Sequence, residues 1–334
     1  MNNTVDGMGV GILGIGSSLP EKVLTNSDLE KMVDTSDEWI IKRTGISQRR
    51  VLEKDEPSHK LGVEASIKAI KDAGLSAEDI DLIIVTTETP DYLTPSMSCL
   101  IQGKIGASKA ACFDLNAACS GLVYGMTVAQ QFISTGYYKY ALVVGCEGLT
   151  RITDWEDRNT CVLFGDGAGA VVLGAVEKGY GILSTHIGSD GTMSKTITLP
   201  CCYMDSQDLE KRAHENKRVL WMDGSEVFKF AVKIMAQATE KVLRDINLTL
   251  NDVKLIVPHQ ANIRIIDGAA KRLAIPTEKV YSNVSRYGNI SSASIPVALD
   301  EAVKSGVVSK GDIVVLVGFG GGLTWGSAAI KWCK

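Results

Sequence analysis

The chain has 334 residues, 45% of them hydrophobic and 22% charged, with a formal net charge of -4. That is the composition of a soluble globular protein, and its slight acidity gives no electrostatic footprint for nucleic acid. No window of 18 apolar residues offers a membrane span, and the length predicts two domains or one duplicated unit.

The first apolar run, Val10 to Ile15, has no basic segment before it and reads as a buried strand rather than a signal peptide. Gly9, Gly11 and Gly14 spell GxGxxG around that run. A dinucleotide site needs the pattern between a strand and an opening helix. Here Ser17, Ser18 and Pro20 follow, so a nicotinamide site is set aside. Leu61 to Ala73 has apolar residues at helical spacing, and LSAEDIDLIIV from Leu75 ends in a short buried strand.

Ala111 to Leu115 is a further strand, and it leads into NAACSG. There Cys119 stands among Ala117, Ala118, Ser120 and Gly121, where a helix begins. A thiol at such a corner faces the positive end of the helix dipole, which favours thiolate. Small neighbours let a substrate come close. The alternative is a buried structural cysteine. The chain has eight cysteines, with no CxxC pair and no histidine at zinc-finger spacing. Reduced thiols in a cytoplasmic protein are expected.

The second half repeats the first. LTLNDVKLIVP from Leu248 matches LSAEDIDLIIV, with Asp252 on Asp79, after a second amphipathic stretch, Val227 to Leu243. The stretch from Cys119 to Gly136 matches that from Asn289 to Gly306 at equal spacing, each a helix stopped by glycine. The strands Ala141 to Val144 and Ile313 to Val317 follow. FGDGAGAVVLG from Phe164 matches FGGGLTWGSAA from Phe319. Ordered matches about half a chain apart predict a duplication, with halves at 1–179 and 180–334 and largely parallel buried sheets. By this repeat Asn289 takes the place of Cys119. The polar segment from Cys201 to Arg218 reads as a surface excursion.

Of the four histidines, His59 and His214 lie in charged segments that read as exposed, and His186 near a strand end. His259 follows the strand Leu255 to Val257 in VPHQANIR, and ends of parallel strands are where such sheets hold ligands. Asn289, in RYGNISSAS, is a candidate partner or simply a helix cap. FGGGLTWG can bring bare backbone N–H groups to a reacting oxygen, or can be only a tight hairpin.

Together, Cys119 in NAACSG, His259 in VPHQANIR, Asn289 in YGNISSAS and the terminal GFGGGLTWGS resemble the beta-ketoacyl-acyl carrier protein synthase III family. DTSDEWIIKRTGI from Asp34 and FGDGAGA fit it too, and only the segment from Cys201 to Arg218 looks longer than usual. The resemblance implies an α/β thiolase-like fold of two pseudo-equivalent halves, with layered helices and mixed five-stranded sheets. It implies a homodimer that condenses an acyl-coenzyme A primer with malonyl-acyl carrier protein, without metal or cofactor and without membrane insertion. Cys119 would be acylated, and His259 and Asn289 would serve decarboxylation. The amides of Cys119 and Gly321 would form an oxyanion hole. Trp39 and Arg158 would hold the adenine end of coenzyme A, with Arg43 near its phosphates. Gly224, Phe228 and Asn262 would line the tunnel for its arm.

Arg264, Lys271 and Arg272 fall on one helical face after His259. With Gln260, Ala261, Asn262 and Ile263, and with Lys229 placed by the resemblance, they form the expected docking set for the acidic carrier protein. Papain-like hydrolases also order Cys, His and Asn this way, but their CGSCW-like signature is absent. A starter-unit or acyl-transferring synthase of secondary metabolism is the nearer alternative.

Overall fold

The computed structural model describes residues 8–202 and 218–334. Most of the polar segment from Cys201 to Arg218, with His214, lies outside the described residues. Five strands build the first sheet: β1 (Gly9–Ser18), β2 (Leu82–Thr86), β3 (Ala111–Leu115), β4 (Ala141–Gly148) and β5 (Asp166–Val176). Their order is β1-β5-β4-β2-β3. The second sheet holds β6 (Gly181–Ser189), β7 (Val253–Pro258), β8 (Ile313–Gly320) and β9 (Thr324–Lys331), in the order β7-β8-β9-β6.

Each sheet is mixed in the same way. β1/β5 and β5/β4 are antiparallel, while β4/β2 is parallel. β6/β9 and β9/β8 are antiparallel, while β8/β7 is parallel. The largely parallel sheets expected from the sequence are therefore corrected. The loop between β8 and β9 is too short for a crossover, so that pair has to be a hairpin. Buried strands of either sense show the same continuous apolar runs.

The fifth strand of the second sheet is corrected too. Opposite β3 the second half has only an isolated parallel bridge, Ile256 to Val280, among the described residues. The next residues turn away because Gln260 holds them. Its Oε1 accepts from the amides of Asn283 (3.0 Å) and Val284 (3.2 Å), and its Nε2 donates to the carbonyl of Tyr281 at 3.1 Å.

Alternation along the strands divides the core into layers. On one face, Leu82, Ile84 and Val143 meet helix α2 (Gly121–Ser134), and across it lie Leu255, Val257 and Leu316 of the second sheet. Ile295, Leu299 and Ala302 of helix α5 (Ser294–Lys304) share this central layer. On the other face, Ile83, Val85 and Leu142 pack on helix α1 (His59–Asp72). Ile256, Val315 and Val317 pack on helices α3 (Gly224–Arg244) and α4 (Ile263–Leu273). The order is helix, sheet, helix, sheet, helix. His59 is not the exposed residue its neighbours suggest: its ring is held 2.8 Å from Asp91 at the start of α1.

Candidate active site

The paired central helices bring their N-termini together. Cys119 lies in the turn Ala118–Ser120 ahead of α2, and that turn packs against Ser291–Ala293 ahead of α5. Ala118 has φ 46 and Ser291 has φ 44, a left-handed region costly for residues with a Cβ. Each is tied two residues back: Ala118 N donates to Asn116 Oδ1 at 3.1 Å, and Ser291 N to Asn289 Oδ1 at 2.9 Å. The structural counterpart of Asn289 is therefore Asn116, and that of Cys119 is Ser292. The equal spacing to Gly136 and Gly306 misled because α2 has 14 residues and α5 has 11.

Strand β8 runs directly over the turn that holds Cys119. A Cβ on Gly320 would sit 2.5 Å from the Cys119 backbone nitrogen, and one on Gly318 would sit 3.1 Å from its carbonyl oxygen. Glycine is needed there because backbone meets backbone. Gly320→Ala should cost about 1–3 kcal/mol, as other overpacked sites do, and should displace Cys119. Urea unfolding and the rate of Cys119 acylation would check both. Unaltered values would mean that the turn yields freely.

Cys119, His259, Asn289 and Gly321 line one cavity of about 1150 Å³. His259 is buried at the end of β7, its N–H donating to the Val317 carbonyl at 2.8 Å and its ring edge-on to Phe319. Burial pushes its pKa down to about 3, so the imidazole is neutral at physiological pH. Nδ1 has no partner among the described residues. Asn289 spends its Oδ1 on Ser291, which leaves the Nδ2 hydrogens as donors for a ligand. The Cys119 thiol is pushed well up, by burial first and by the charge of Glu88 second. The thiolate expected from the helix dipole alone is thus opposed by burial and by Glu88.

The cavity continues outward past Phe319, Ile197, Trp221 and Met222 to Trp39, Arg43, Gly224, Phe228, Asn262 and Arg264. The Arg158 guanidinium stacks 3.9 Å over the Trp39 ring, and Arg43 lies 5.5 Å from it. Asn262 caps α4 through Arg264 N and donates to the Arg43 carbonyl. Phe228 lies under the Arg264 guanidinium. The expected coenzyme A residues are thus gathered at one mouth.

The expected docking set divides. Arg264 and Lys229 line the mouth, and Lys229 is paired with Glu226 at 2.7 Å. Lys271 and Arg272 are exposed two turns further along α4, about 10 Å at 1.5 Å per residue. Exposed Asp267 lies between them. Gln260 and Ala261 are buried, the first spent on the segment after Tyr281, so neither presents a side chain to a docking protein; this corrects their place in the set. The sequence reading missed Glu88, Glu147 and Ser291. For Glu88 the signal was TTETP at the end of β2, where a strand end turns polar.

A duplicated mixed-sheet fold with a cysteine at a central helix N-terminus, sharing a cavity with a neutral histidine and an asparagine, defines a thiolase-fold condensing enzyme. The family model for 3-oxoacyl-[acyl-carrier-protein (ACP)] synthase III matches residues 113–191, and its C-terminal model matches residues 243–332. The beta-ketoacyl-[acyl-carrier-protein] synthase III of Caldanaerobacter subterraneus subsp. tengcongensis is 53% identical, over 97% of this chain and 98% of that one. The solved 3-oxoacyl-[acyl-carrier-protein] synthase III of Aquifex aeolicus superposes with a TM-score of 0.91 at 44% identity, over 97% of this chain and 100% of that one. The beta-ketoacyl synthase III of Thermus thermophilus does so at 0.91 and 46%, over 96% and 99%. The chain belongs to the beta-ketoacyl-[acyl-carrier-protein] synthase III family, and is a condensing acyltransferase that initiates fatty-acid synthesis.

Proposed function

We propose that the chain joins an acyl group from acyl-coenzyme A to the two-carbon unit of malonyl-acyl carrier protein in two half-reactions at one cavity. Cys119 attacks the primer thioester and holds the acyl group, in an exchange of thioesters near energetic balance. Malonyl decarboxylation then builds negative charge on the thioester oxygen. His259 Nε2–H and the Asn289 amide supply two neutral donors for it. The carbanion attacks the acyl-Cys119 carbonyl, whose oxygen meets the amides of Cys119 and Gly321. The observation that carries this reading is the buried, neutral His259 on the same cavity as Cys119 and Asn289. A protonated imidazole there would quench the carbanion.

Coenzyme A enters as a substrate thioester, with Trp39, Arg158 and Arg43 at its nucleotide end and Gly224, Phe228 and Asn262 along its arm. No metal or redox cofactor is assigned a step. We further infer a cytoplasmic homodimer on the family resemblance. Among the described residues no helix is long and apolar enough to cross a membrane. The names of the curated relatives favour fatty-acid initiation over a starter-unit or plain transfer role. A single-turnover experiment tests the whole. Enzyme loaded with one acyl group and then mixed with malonyl-carrier protein should release one carbon dioxide per 3-oxoacyl product. Acyl transfer without carbon dioxide would overturn it.

For the carrier, the exposed charges of α4 are the docking candidates, through long-range steering. Lys271→Glu with Arg272→Glu should raise KM for malonyl-carrier protein several-fold and leave self-acylation from a small acyl-coenzyme A unchanged. An unchanged KM would move the docking face elsewhere.

A further inference from the structure

Two acids, Glu88 and Glu147, sit behind the nucleophile, and the half-reactions above use neither. Glu147 is buried. Its Oε2 accepts from Thr89 Oγ1 at 2.6 Å, from Thr87 Oγ1 at 3.1 Å and from the Glu88 amide at 3.2 Å. Its Oε1 lies 2.6 Å from Ser292 Oγ, and that hydroxyl also lies 2.6 Å from the Thr86 carbonyl oxygen. A serine has one hydroxyl proton, and a carbonyl can only accept. Ser292 therefore donates to Thr86, and Glu147 brings the proton for the other contact. Burial, with the charge of Glu88, agrees and pushes Glu147 up to about 8. Glu147 is a neutral acid at neutral pH, which leaves Glu88 as the ionisable member of the pair.

Glu88 is placed differently. It keeps part of its surface open to the cavity that holds Cys119. Its Oε1 accepts a 2.5 Å hydrogen bond from Ser291 Oγ. Ser291 lines the same cavity as Cys119, and its hydroxyl favours the Cys119 thiolate against burial. The bond to Asn289 Oδ1 and the left-handed backbone at φ 44 fix its position. Strain of this kind persists only where the surroundings enforce it.

We propose that Glu88 accepts, by way of the Ser291 hydroxyl, the proton that Cys119 sheds when it attacks the acyl thioester. The inference rests on Cys119 being the acylated nucleophile. Cys119 Sγ bonds to the acyl carbon as the bond from that carbon to the departing sulfur breaks. The thiol proton passes to Ser291 Oγ, whose own proton moves to Glu88 Oε1. The departing thiolate takes a proton back from Glu88 and leaves as a thiol, so the step balances. Burial holds the Glu88 carboxyl above its ordinary range, closer to the pH at which a base must work. A fixed negative charge beside a thiol opposes thiolate formation. As a proton acceptor the same group assists it.

Rapid-mix acylation by a short acyl-coenzyme A, read by intact-protein mass, tests the relay. Glu88→Gln and Ser291→Ala should each slow Cys119 acylation by about 10²-fold at neutral pH, a usual share for general-base assistance. Both should flatten the acid limb of the pH–rate profile. That limb belongs to Glu88, because Glu147 is neutral and His259 stays neutral down to about pH 3. Glu88→Asp should recover part of the rate and of the limb. Faster acylation in Glu88→Gln would show a merely opposing charge, and an unchanged rate and limb would show no role. Either result overturns the relay. So does an equal loss in condensation by Glu88→Gln enzyme loaded to completion, which marks a structural residue. If the unaltered enzyme takes its acyl group elsewhere than on Cys119, it is the proposed function that fails.

Discussion

Cys119→Ser should abolish the acyl-enzyme. Incubated with acyl-coenzyme A, the unaltered protein should gain one acyl mass on the peptide containing Cys119, and the variant should gain none. The reason lies in the pKa of the attacking atom. The cavity already pushes the Cys119 thiol well above its ordinary value, through burial and the charge of Glu88. A serine hydroxyl starts far higher, and its alkoxide would meet the same desolvation and the same charge. The fold should not suffer, because the smaller hydroxyl fits the space of the thiol and the turn is held by bonds such as Ala118 N to Asn116 Oδ1. The thermal midpoint should therefore stay near that of the unaltered chain. The other cysteines serve as internal controls. Cys146 is enclosed against the Ser58 carbonyl, and Cys112 is pushed up to about 12. An acyl group mapping to either, or persisting on Cys119→Ser, would sink the assignment.

Much of this site was legible in the sequence, because its parts lie where chain direction changes. Cys119 and His259 follow apolar runs that end in small or polar residues, a clear strand-end pattern, and Asn289 stands just ahead of the helical stretch that begins α5. The duplication was legible through the same runs, since β2 and β7 repeat almost residue for residue. Pairing sense was not, because a strand buried on both faces has one hydrophobic signature whatever its neighbours do. Helix length was not legible either. Gly136 and Gly306 marked the ends of α2 and α5, but the beginnings had no comparable mark. The register of the two halves therefore slipped by three residues, the length difference between the helices. Corrected, NAACS lies on NISSA, and each half keeps an asparagine that braces its turn. One half then offers a thiol, where the other has Ser292 buried against Glu147. That the two acids meet was illegible for a further reason. Glu88 and Glu147 are distant in sequence, and only pairing β2 with β4 sets them together.

Asn289→Ala should separate the two chemical steps. Decarboxylation of malonyl-carrier protein should fall by about 10²–10³-fold, the usual cost of losing one donor to a developing oxyanion. Acylation of Cys119 should fall far less, because in the mechanism proposed above the Asn289 amide faces charge that arises only in the second step. The alanine variant also removes the acceptor for the Ser291 amide, so part of any effect would come from a loosened turn. Asn289→Asp isolates the donor. Its carboxylate oxygen still accepts from Ser291 N, yet it offers no N–H to the enolate and adds a repelling charge. The loss in decarboxylation should therefore persist or deepen in Asn289→Asp. The folded stability should lie closer to that of the unaltered chain than in Asn289→Ala. Stopped-flow acylation and carbon dioxide release, measured on the same samples, give the two rates. If Asn289→Asp restores decarboxylation along with stability, Asn289 is a brace for Ser291 and His259 carries the enolate alone.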